Sequence, residues 1–462
     1  MAHQDAHSLR RILGLGFGLA IAFGGTVGVG ILRLPGTLAS ALGDSRLVVL
    51  FWIAGGVYAL LGAVAVAELA AMLPQAGGFY VYARRAFGNR IGFTIGWNDW
   101  INYSATLTYS SMTAATFFAA LWPPAATYPQ SVAVAILAAF TCMHWVGLRM
   151  GSTLTNLISV SIGLMLLFVV VGCFLVTPVA ASNASPVAGS AASLPLLSMA
   201  MLAAVVPALR AVLLSYDGWY APIYLAEEST DPTRTLPRAI LGGTLLVVAL
   251  FMIFNVALVH ALPMRVLAAS ELPAADAARL VLPRGGAGLV TLISLLTVLS
   301  LINANLLMAP RILLAIGRDG FVTSRAAMVS AGGTPRFALA VTSTVSAALI
   351  LSGTFAQTVA LVAVLFLINY VAAYAALFVL RHREPATSRP YRALGFPATT
   401  GIVLLGAVLF LIAAVAEDRR SGIVAALLLA ASVPVYEWVT RCRSVYAGKP
   451  SLEGAIERDK RA

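Results

Sequence analysis

The sequence predicts an all-α, polytopic membrane protein of twelve spanning helices, arranged as two groups of five with two more at the end. Three observations carry this expectation. Of 462 residues, 60% are hydrophobic and only 10% are charged, against about 25% charged in soluble domains. Apolar runs repeatedly exceed the ~20 residues that cross a bilayer as a helix. Two of these runs, the first and the sixth, are interrupted midway by residues that a continuous lipid-embedded helix disfavours.

The runs cover 12–38, 46–72, 91–121, 129–147, 153–177, 199–226, 238–262, 286–315, 337–353, 356–380, 396–416 and 421–440. Most connections are short; the longer ones are 178–198, 263–285 and 316–336, and 264–283 is expected to carry a short surface helix. Orientation follows from Lys and Arg, which accumulate on the cytoplasmic side. With the N-terminus in the cytoplasm, the inner side holds 22 of the 30 basic residues, among them Arg10, Arg11, Arg84, Arg149, Arg311 and the cluster from Arg381 to Arg392. The outer side holds six: Arg46, Arg265, Arg279, Arg284, Arg419 and Arg420. The expectation is a multi-pass protein of the cell membrane, the lipid bilayer its first partner, with both termini cytoplasmic. Its parts are an N-terminal segment 1–11, a five-helix unit 12–177, an extracytoplasmic loop 178–198, a second and inverted five-helix unit 199–380, helices 11 and 12 with their basic loop at 381–440, and a tail 441–462. The formal charge of +12 then reflects topology and is no nucleic-acid footprint. A competing reading takes Arg10-Arg11, the first run and Ala39-Ser40-Ala41 as a signal peptide with its cleavage site. The run is longer than an ordinary signal core, and its removal would spoil the charge pattern.

Taken in order, the spans differ in what they carry. The first contains Gly24, Gly25, Gly28 and Gly30. Glycines at membrane helix contacts often serve close packing, and that reading suits Gly14, Gly18 and Gly55-Gly56 of span 2. Glu68, near the cytoplasmic end of span 2, reads as an anchor for the next loop. Asp99, flanked by Trp97 and Trp100 near the start of span 3, reads as an interfacial pairing residue. Tyr103, Ser104 and Thr108 on span 3, Asn303 and Asn305 on span 8, and Asn369 and Tyr370 on span 10 face either a cavity or a neighbouring helix. In span 6, "LLSYDGWYAPIY" (213–224) sets Asp217, Gly218 and Pro222 at mid-membrane depth. Asp217 is either a counter-ion for an ammonium or proton, or a carboxylate capping the freed amides. Arg210, two turns earlier, is a gate charge or one half of a structural salt bridge. Arg33 follows the first break and points to the outer vestibule.

Matching interruptions in the first helix of each half are the sequence mark of a transporter built from inverted repeats. Unwinding a helix in hydrocarbon leaves amides and carbonyls unpaired, at several kcal/mol each, and is tolerated where those groups face a cavity. The start of the second half-helix offers N–H groups and a positive dipole end to a carboxylate, and the end of the first offers carbonyls to an ammonium. Two crossed breaks fit a zwitterion.

"GGTVGVGIL" followed by "RLPG" resembles the first-span motif of the amino acid–polyamine–organocation superfamily, roughly G-x-x-x-G-x-G-I-F-x-x-P-G. "SYDGWYAPIYLAEESTDPTRTLPRAI" (215–240) resembles that family's sixth span and following loop, and "ELAAMLPQAGGFYVYARRAFG" (68–88) its second loop. "APRILLAIGRDG" (309–320) and "RPYRALGFP" (389–397) are similar to later landmarks. The L-type or bacterial permease branch is the nearest in look. The resemblance implies the leucine-transporter fold and alternating access. It implies a substrate carboxylate on the amides of Gly28, Val29 and Gly30, and an amino group on the carbonyls of Thr26, Leu214 and Asp217. It also implies that Trp219 and Tyr220 stack over the substrate or line its side-chain pocket. Two positions depart from the family. Val29 stands where many relatives have a hydroxyl, and Ile162 where many have a span 5 lysine, which puts lysine-based coupling in question.

The function this predicts is secondary active transport of amino acids, a neutral one first. A cationic amino acid or polyamine exchanger is the alternative, and Arg210 keeps acidic substrates open. A coupling ion, proton or sodium, belongs to the same expectation. Channel filter loops, a clustered catalytic set and a phosphate-binding G-x-x-x-x-G-K-[ST] motif are missing from the sequence. Three scattered cysteines and five histidines suggest neither metal site nor cofactor.

Overall fold

The computed structural model describes residues 9–177, 199–353 and 355–447. Residues 1–8, the loop expected at 178–198, and 448–462 of the tail lie outside the described residues. The described chain is helical. The first run is split into α1 (Leu15–Thr26) and α2 (Gly30–Leu42), and α3 (Ser45–Met72) is the second. A short α4 (Phe79–Phe87) leads into α5 (Asn89–Leu121), followed by α6 (Pro129–Val146) and α7 (Leu148–Leu175). The second half holds α8 (Met199–Ser215), α9 (Pro232–Ala261), the short α10 (Met264–Ala269) and α11 (Pro273–Val281), and α12 (Gly286–Arg318). It continues with α13 (Arg336–Leu351), α14 (Phe355–Arg383), α15 (Ala398–Glu417) and α16 (Arg419–Ala447).

Local chemistry starts several of these helices. Asp44 caps α3, its carboxylate accepting from the amides of Arg46 and Leu47 at 2.8 and 3.1 Å, which satisfies two of the four donors a helix start leaves open. Pro129, Pro232 and Pro273 open α6, α9 and α11, where a missing N–H is no loss and the fixed φ suits the first turn.

Among the described residues, eight helices are long and apolar enough to cross a membrane, and α1 with α2, bent by 43° at their junction, make a ninth candidate. The other three expected runs fall on α5, on α8 with the turns after it, and on α13. Of these, α5 has 33 residues but spends them on buried polar groups such as Asn98, Asp99 and Asn102. The other two are short, at 17 and 16 residues.

The centre of the bundle is built by α12 along α5, with α9 packed between α1 and α3. Trp52 of α3, Tyr216 after α8 and Phe251 of α9 lock three helices together, with ring centroids 5.0 to 5.7 Å apart and the Tyr216 hydroxyl donating to the Trp52 carbonyl at 3.1 Å. Gly55 and Gly56 lie against Val212 and Val248, and Gly18 against Ala239, so these glycines serve close packing; Gly14 faces open space and does not. In α12 and α14, 56% of the most apolar stretch is buried, against 22% in α15 and 11% in α16. The last two helices are therefore peripheral and present apolar side chains such as Leu405 and Leu427 outward.

The connection 263–285 differs from the surface helix expected of it. It forms two helices, α10 and α11, and Leu267, Ala274 and Ala277 are buried. The reason is a stripe of small and apolar side chains, which lets the segment pack down onto α2 where Gly36 lies beneath the carbonyls of Leu267 and Ser270.

The face at which α1 begins, called here the N-terminal face, is closed by charge pairs. Arg84 pairs with Asp319, which also accepts from the Tyr80 hydroxyl at 2.5 Å. Arg318 pairs with Glu227 at 2.7 Å, and Glu227 accepts from the Ala76 amide. Deeper, the Arg311 guanidinium grips Glu228 with two bonds of 2.6 and 2.7 Å, both side chains buried. The carbonyl of Glu228 in turn accepts from the amides of Ile12 and Leu13 at 3.0 and 2.9 Å, tying the entry of α1 to the end of the sixth run.

Candidate functional site

Helix α1 ends where small and β-branched residues meet: Gly24-Gly25-Thr26-Val27. Val27 turns to extended backbone while its amide still reaches the Phe23 carbonyl at 2.8 Å. Backbone helix bonding resumes with Leu32 donating to Val29. The amides of Gly28, Val29 and Gly30 have no backbone acceptor among the described residues, as expected at the start of a helix with no side-chain cap.

The sixth run breaks in a different way. Helix α8 stops at Ser215, and the chain unwinds through Tyr216 and Asp217, whose amide bonds the Leu214 carbonyl at 3.3 Å. At Gly218 φ is +111°, a conformation that side chains with a Cβ rarely adopt. A tight 3-10 segment, Ala221–Glu228, follows. The two breaks touch backbone to backbone. A Cβ on Gly218 would lie inside the carbonyl group of Gly25, and a Cβ on Gly25 would come within 3.3 Å of the Gly218 carbonyl. Glycine at both positions is what lets two unwound chains cross.

Beside the crossing lies a cavity of about 1040 Å³. Its mouth is formed by Arg33, Thr37, Ser40, Ser270 and Glu271, on the side away from the N-terminal face. Of the residues expected at the site, Thr26, Gly28, Val29, Gly30, Leu214, Asp217 and Tyr220 line it. Trp219 does not. It is buried and stacks on Tyr370, ring centroids 5.9 Å and planes 11° apart. The turn at Gly218 sends the indole away from the cavity, into a slot left by Gly62 of α3, where a Cβ would come within 3.2 Å of its ring.

Asp217 stands on the cavity wall as a carboxylate held by hydroxyls. Tyr370 donates to it at 3.0 Å and Tyr220 at 3.4 Å, and it forms no ion pair among the described residues. Thr26 turns its hydroxyl back onto the Ala22 carbonyl at 2.7 Å. Arg210 pairs with Glu417 at the end of α15 and does not line the cavity, so the structural salt bridge is the arrangement observed. Arg33 lies at the mouth, donating to the Glu271 carbonyl at 3.4 Å.

The polar residues of spans 3, 8 and 10 divide by helix face. On α5, Asn102, Tyr103, Thr106, Tyr109 and Thr113 fall at helical spacing and line the cavity. Ser104 and Thr108 turn the other way and share hydrogen bonds with Ser346 of α13. On α12, Asn305 lines the cavity, while Asn303 bonds His144, Gly151 and Thr155. Two side-chain atoms of these residues, the Asn102 Oδ1 and the Asn305 Nδ2, are buried without a partner and have no accessible surface toward the cavity. Asn102, Thr106 and Thr297 are not marked by the sequence reading; the i, i+4, i+7, i+11 spacing of polar residues from Asn102 through Thr106 and Tyr109 to Thr113 is the signal that marks the α5 residues.

Two acidic residues sit differently from their sequence reading. Asp99 is not interfacial. It is fully buried, accepting from the Tyr224 hydroxyl at 2.9 Å and from Asn369 at 2.7 Å; between the start of α5 and residue 99 only residues 89–91 are exposed, and the helix has made almost three turns by residue 99. Glu68 anchors a loop, but the one after α14 and not the next in sequence. It pairs with Arg381 at 2.5 Å and Arg389 at 3.2 Å and accepts from the Ala393 amide at 2.6 Å.

The site therefore offers unpaired amides, a hydroxyl-held carboxylate, and an uncharged polar wall. Among the described residues no three His, Cys, Asp or Glu side chains group as metal ligands would. Comparison with known proteins gives a consistent picture. A family model described as "Amino acid permease" matches residues 18–432. The serine/threonine exchanger SteT of Bacillus subtilis is 24% identical over 439 residues, covering 94% of this chain and 98% of that protein. The human b(0,+)-type amino acid transporter 1 is 30% identical over 257 residues, 54% of this chain and 51% of its own length. An uncharacterized transporter of Mycobacterium tuberculosis is 30% identical over 275 residues, 59% of this chain and 58% of its own. The chain thus matches the last two over only about half their length.

Proposed function

The chain belongs to the amino acid permease family, and from that premise we propose how its cavity takes hold of an amino acid. Its function is transport of amino acids across a membrane it crosses many times, and not catalysis. In the proposed arrangement the chain makes twelve spans as two inverted groups of five, 12–177 and 199–380, with α15 and α16 added outside. The N-terminal face is cytoplasmic and the membrane is the cell membrane, a reading supported by the basic residues concentrated there. The arrangement seen is then outward-open. Turning inward requires parting Arg84 from Asp319 and Arg318 from Glu227 while the mouth at Arg33 and Glu271 closes, which is alternating access by movement around a fixed site.

The single observation that carries the binding proposal is the crossing of the two breaks at Gly25 and Gly218 on the cavity wall. The free amides at Gly28, Val29 and Gly30 receive the substrate carboxylate, so Val29 needs no hydroxyl. The ammonium goes to the Thr26 carbonyl and to Asp217. The side chain lies toward Asn102, Thr106, Tyr109, Thr297 and Asn305. That wall is uncharged, which favours a neutral amino acid; a cationic side chain would find Glu271 only at the mouth. Uncharged polar groups of this kind suit a small hydroxyl or amide side chain, and the relative SteT is named a serine/threonine exchanger.

Counterflow in proteoliposomes tests this: vesicles preloaded with unlabelled amino acid should take up labelled serine or threonine faster than empty ones, with lysine, glutamate and putrescine giving no stimulation. Stimulation by lysine or putrescine alone contradicts the neutral-substrate reading. Running the assay with and without sodium, at two pH values, identifies a coupling ion. Asp217→Asn should fold, since the Tyr370 hydroxyl can donate to the amide oxygen as it does to Oδ1, and the Tyr220 hydroxyl can turn to accept from the amide NH2. It should weaken substrate binding roughly 10- to 150-fold, the worth of one charged hydrogen bond. Unchanged affinity assigns Asp217 a structural role.

A further inference from the structure

A second cavity, of about 620 Å³, opens on the N-terminal face where α6 gives way to α7, away from the substrate cavity. Its floor is the junction of Gly147 with Gly332, held by the Leu148 amide bonding the Gly332 carbonyl at 3.1 Å. Two guanidiniums line it, Arg10 from the lead-in to α1 and Arg149 in the first turn of α7. Both residues are exposed. Neither side chain makes an ion pair among the described residues, and no carboxylate lines the cavity. The rest of the wall is apolar and open to the surroundings: Val146 is 67% exposed, Met150 53% and Leu157 62%. The stripe continues along α7 through Val160 and Leu164, both exposed. On α7, Met150, Leu157, Val160 and Leu164 follow at intervals of seven, three and four residues and so share one face of the helix, and on a spanning helix that face meets acyl chains.

We propose that this groove binds an acidic phospholipid of the leaflet on the N-terminal face. The phosphate lies between Arg10 and Arg149, the Thr153 hydroxyl donates to a phosphate or glycerol oxygen, and one acyl chain runs along Met150, Leu157 and Val160. Charge and position select this occupant. Uncompensated arginines at the bilayer boundary attract anionic headgroups and pair with phosphate through their planar fork. The apolar wall gives a soluble anion nothing to bury, whereas an acyl chain covers it.

The test uses the purified full-length protein in a neutral detergent, its melting followed with added phosphatidylglycerol, with phosphatidylcholine of the same acyl chains, and with inorganic phosphate. Phosphatidylglycerol is expected to raise Tm, and the other two are not. Arg10→Gln with Arg149→Gln should weaken the apparent affinity for phosphatidylglycerol roughly 30-fold, the combined worth of two basic contacts at a membrane surface. Thr153→Phe keeps both charges and fills the groove, and it should remove the same response; it decides the matter if the double variant does not fold. Arg46→Gln, at the other end of the bundle, should change nothing. An equal rise with phosphatidylcholine overturns the proposal. An equal rise with inorganic phosphate overturns the lipid as occupant. A response retained in the variants overturns the site.

Discussion

Gly28→Leu protein is expected to insert and fold like the parent and to take up no amino acid. The position is special because it has room. A Cβ built on Gly28 meets only the Thr26 carbonyl, at 3.9 Å, and the backbone is not in the left-handed region. The leucine branches therefore extend into the cavity, over the amides proposed to hold the carboxylate. Two hydrogen bonds to a charged group are worth about 3 kcal/mol or more together, so binding should weaken by roughly a hundredfold or more. Size-exclusion and melting behaviour should match the parent. Gly218→Ala separates this effect from damage to the fold. There the φ of +111° and the Gly25 carbonyl leave no place for a methyl group, so the expected result is loss of folded protein. Normal uptake by Gly28→Leu would mean the carboxylate binds elsewhere.

Arg311→Met should be the most destabilising substitution at the N-terminal face. It leaves Glu228 fully buried with its carboxylate unpaired, and breaking a buried pair from one side costs about 3–5 kcal/mol. That is a large part of the ~5–15 kcal/mol by which proteins are typically stable. The pair as a whole contributes far less, since taking both charges out of water offsets most of their attraction. Glu228→Gln combined with Arg311→Met should therefore recover most of the lost melting temperature. Additive loss in the double variant would show that the two side chains act independently, against the two-bonded geometry seen. The exposed pair of Arg234 with Asp231, 3.9 Å apart, provides the contrast: Arg234→Ala should change stability little.

The interruptions were legible in the sequence because they are written locally. Glycines in one run, and Asp217-Gly218 with Pro222 in the other, cannot continue a helix in lipid without cost. The cavity wall was half legible. Asn102, Thr106, Tyr109 and Thr113 follow one another at helical spacing, and that periodicity of polar residues alone would have collected them. Other features depended on partners far along the chain. Asp99 is paired with Tyr224 and Asn369, 125 and 270 residues away. Glu68 meets Arg389 through a loop that follows α14. Trp219 looked like a cavity residue from its neighbours Asp217 and Tyr220, but a positive φ at Gly218 and the missing side chain at Gly62 decide where its ring goes. Neither influence is visible in the stretch that contains it.

Peptide groups freed at the crossing of two broken helices are proposed to bind both charged ends of the substrate. Competition against labelled substrate in proteoliposomes tests this directly. The competitors are the best neutral amino acid, the amine left by removing its carboxylate, and the acid left by removing its amino group. Each truncated compound should compete roughly a hundredfold or more weakly than the parent, since each strands charged hydrogen-bonding partners on one side of the crossing. If either competes as well as the parent amino acid, the corresponding end is not held there, and the account of the site is wrong.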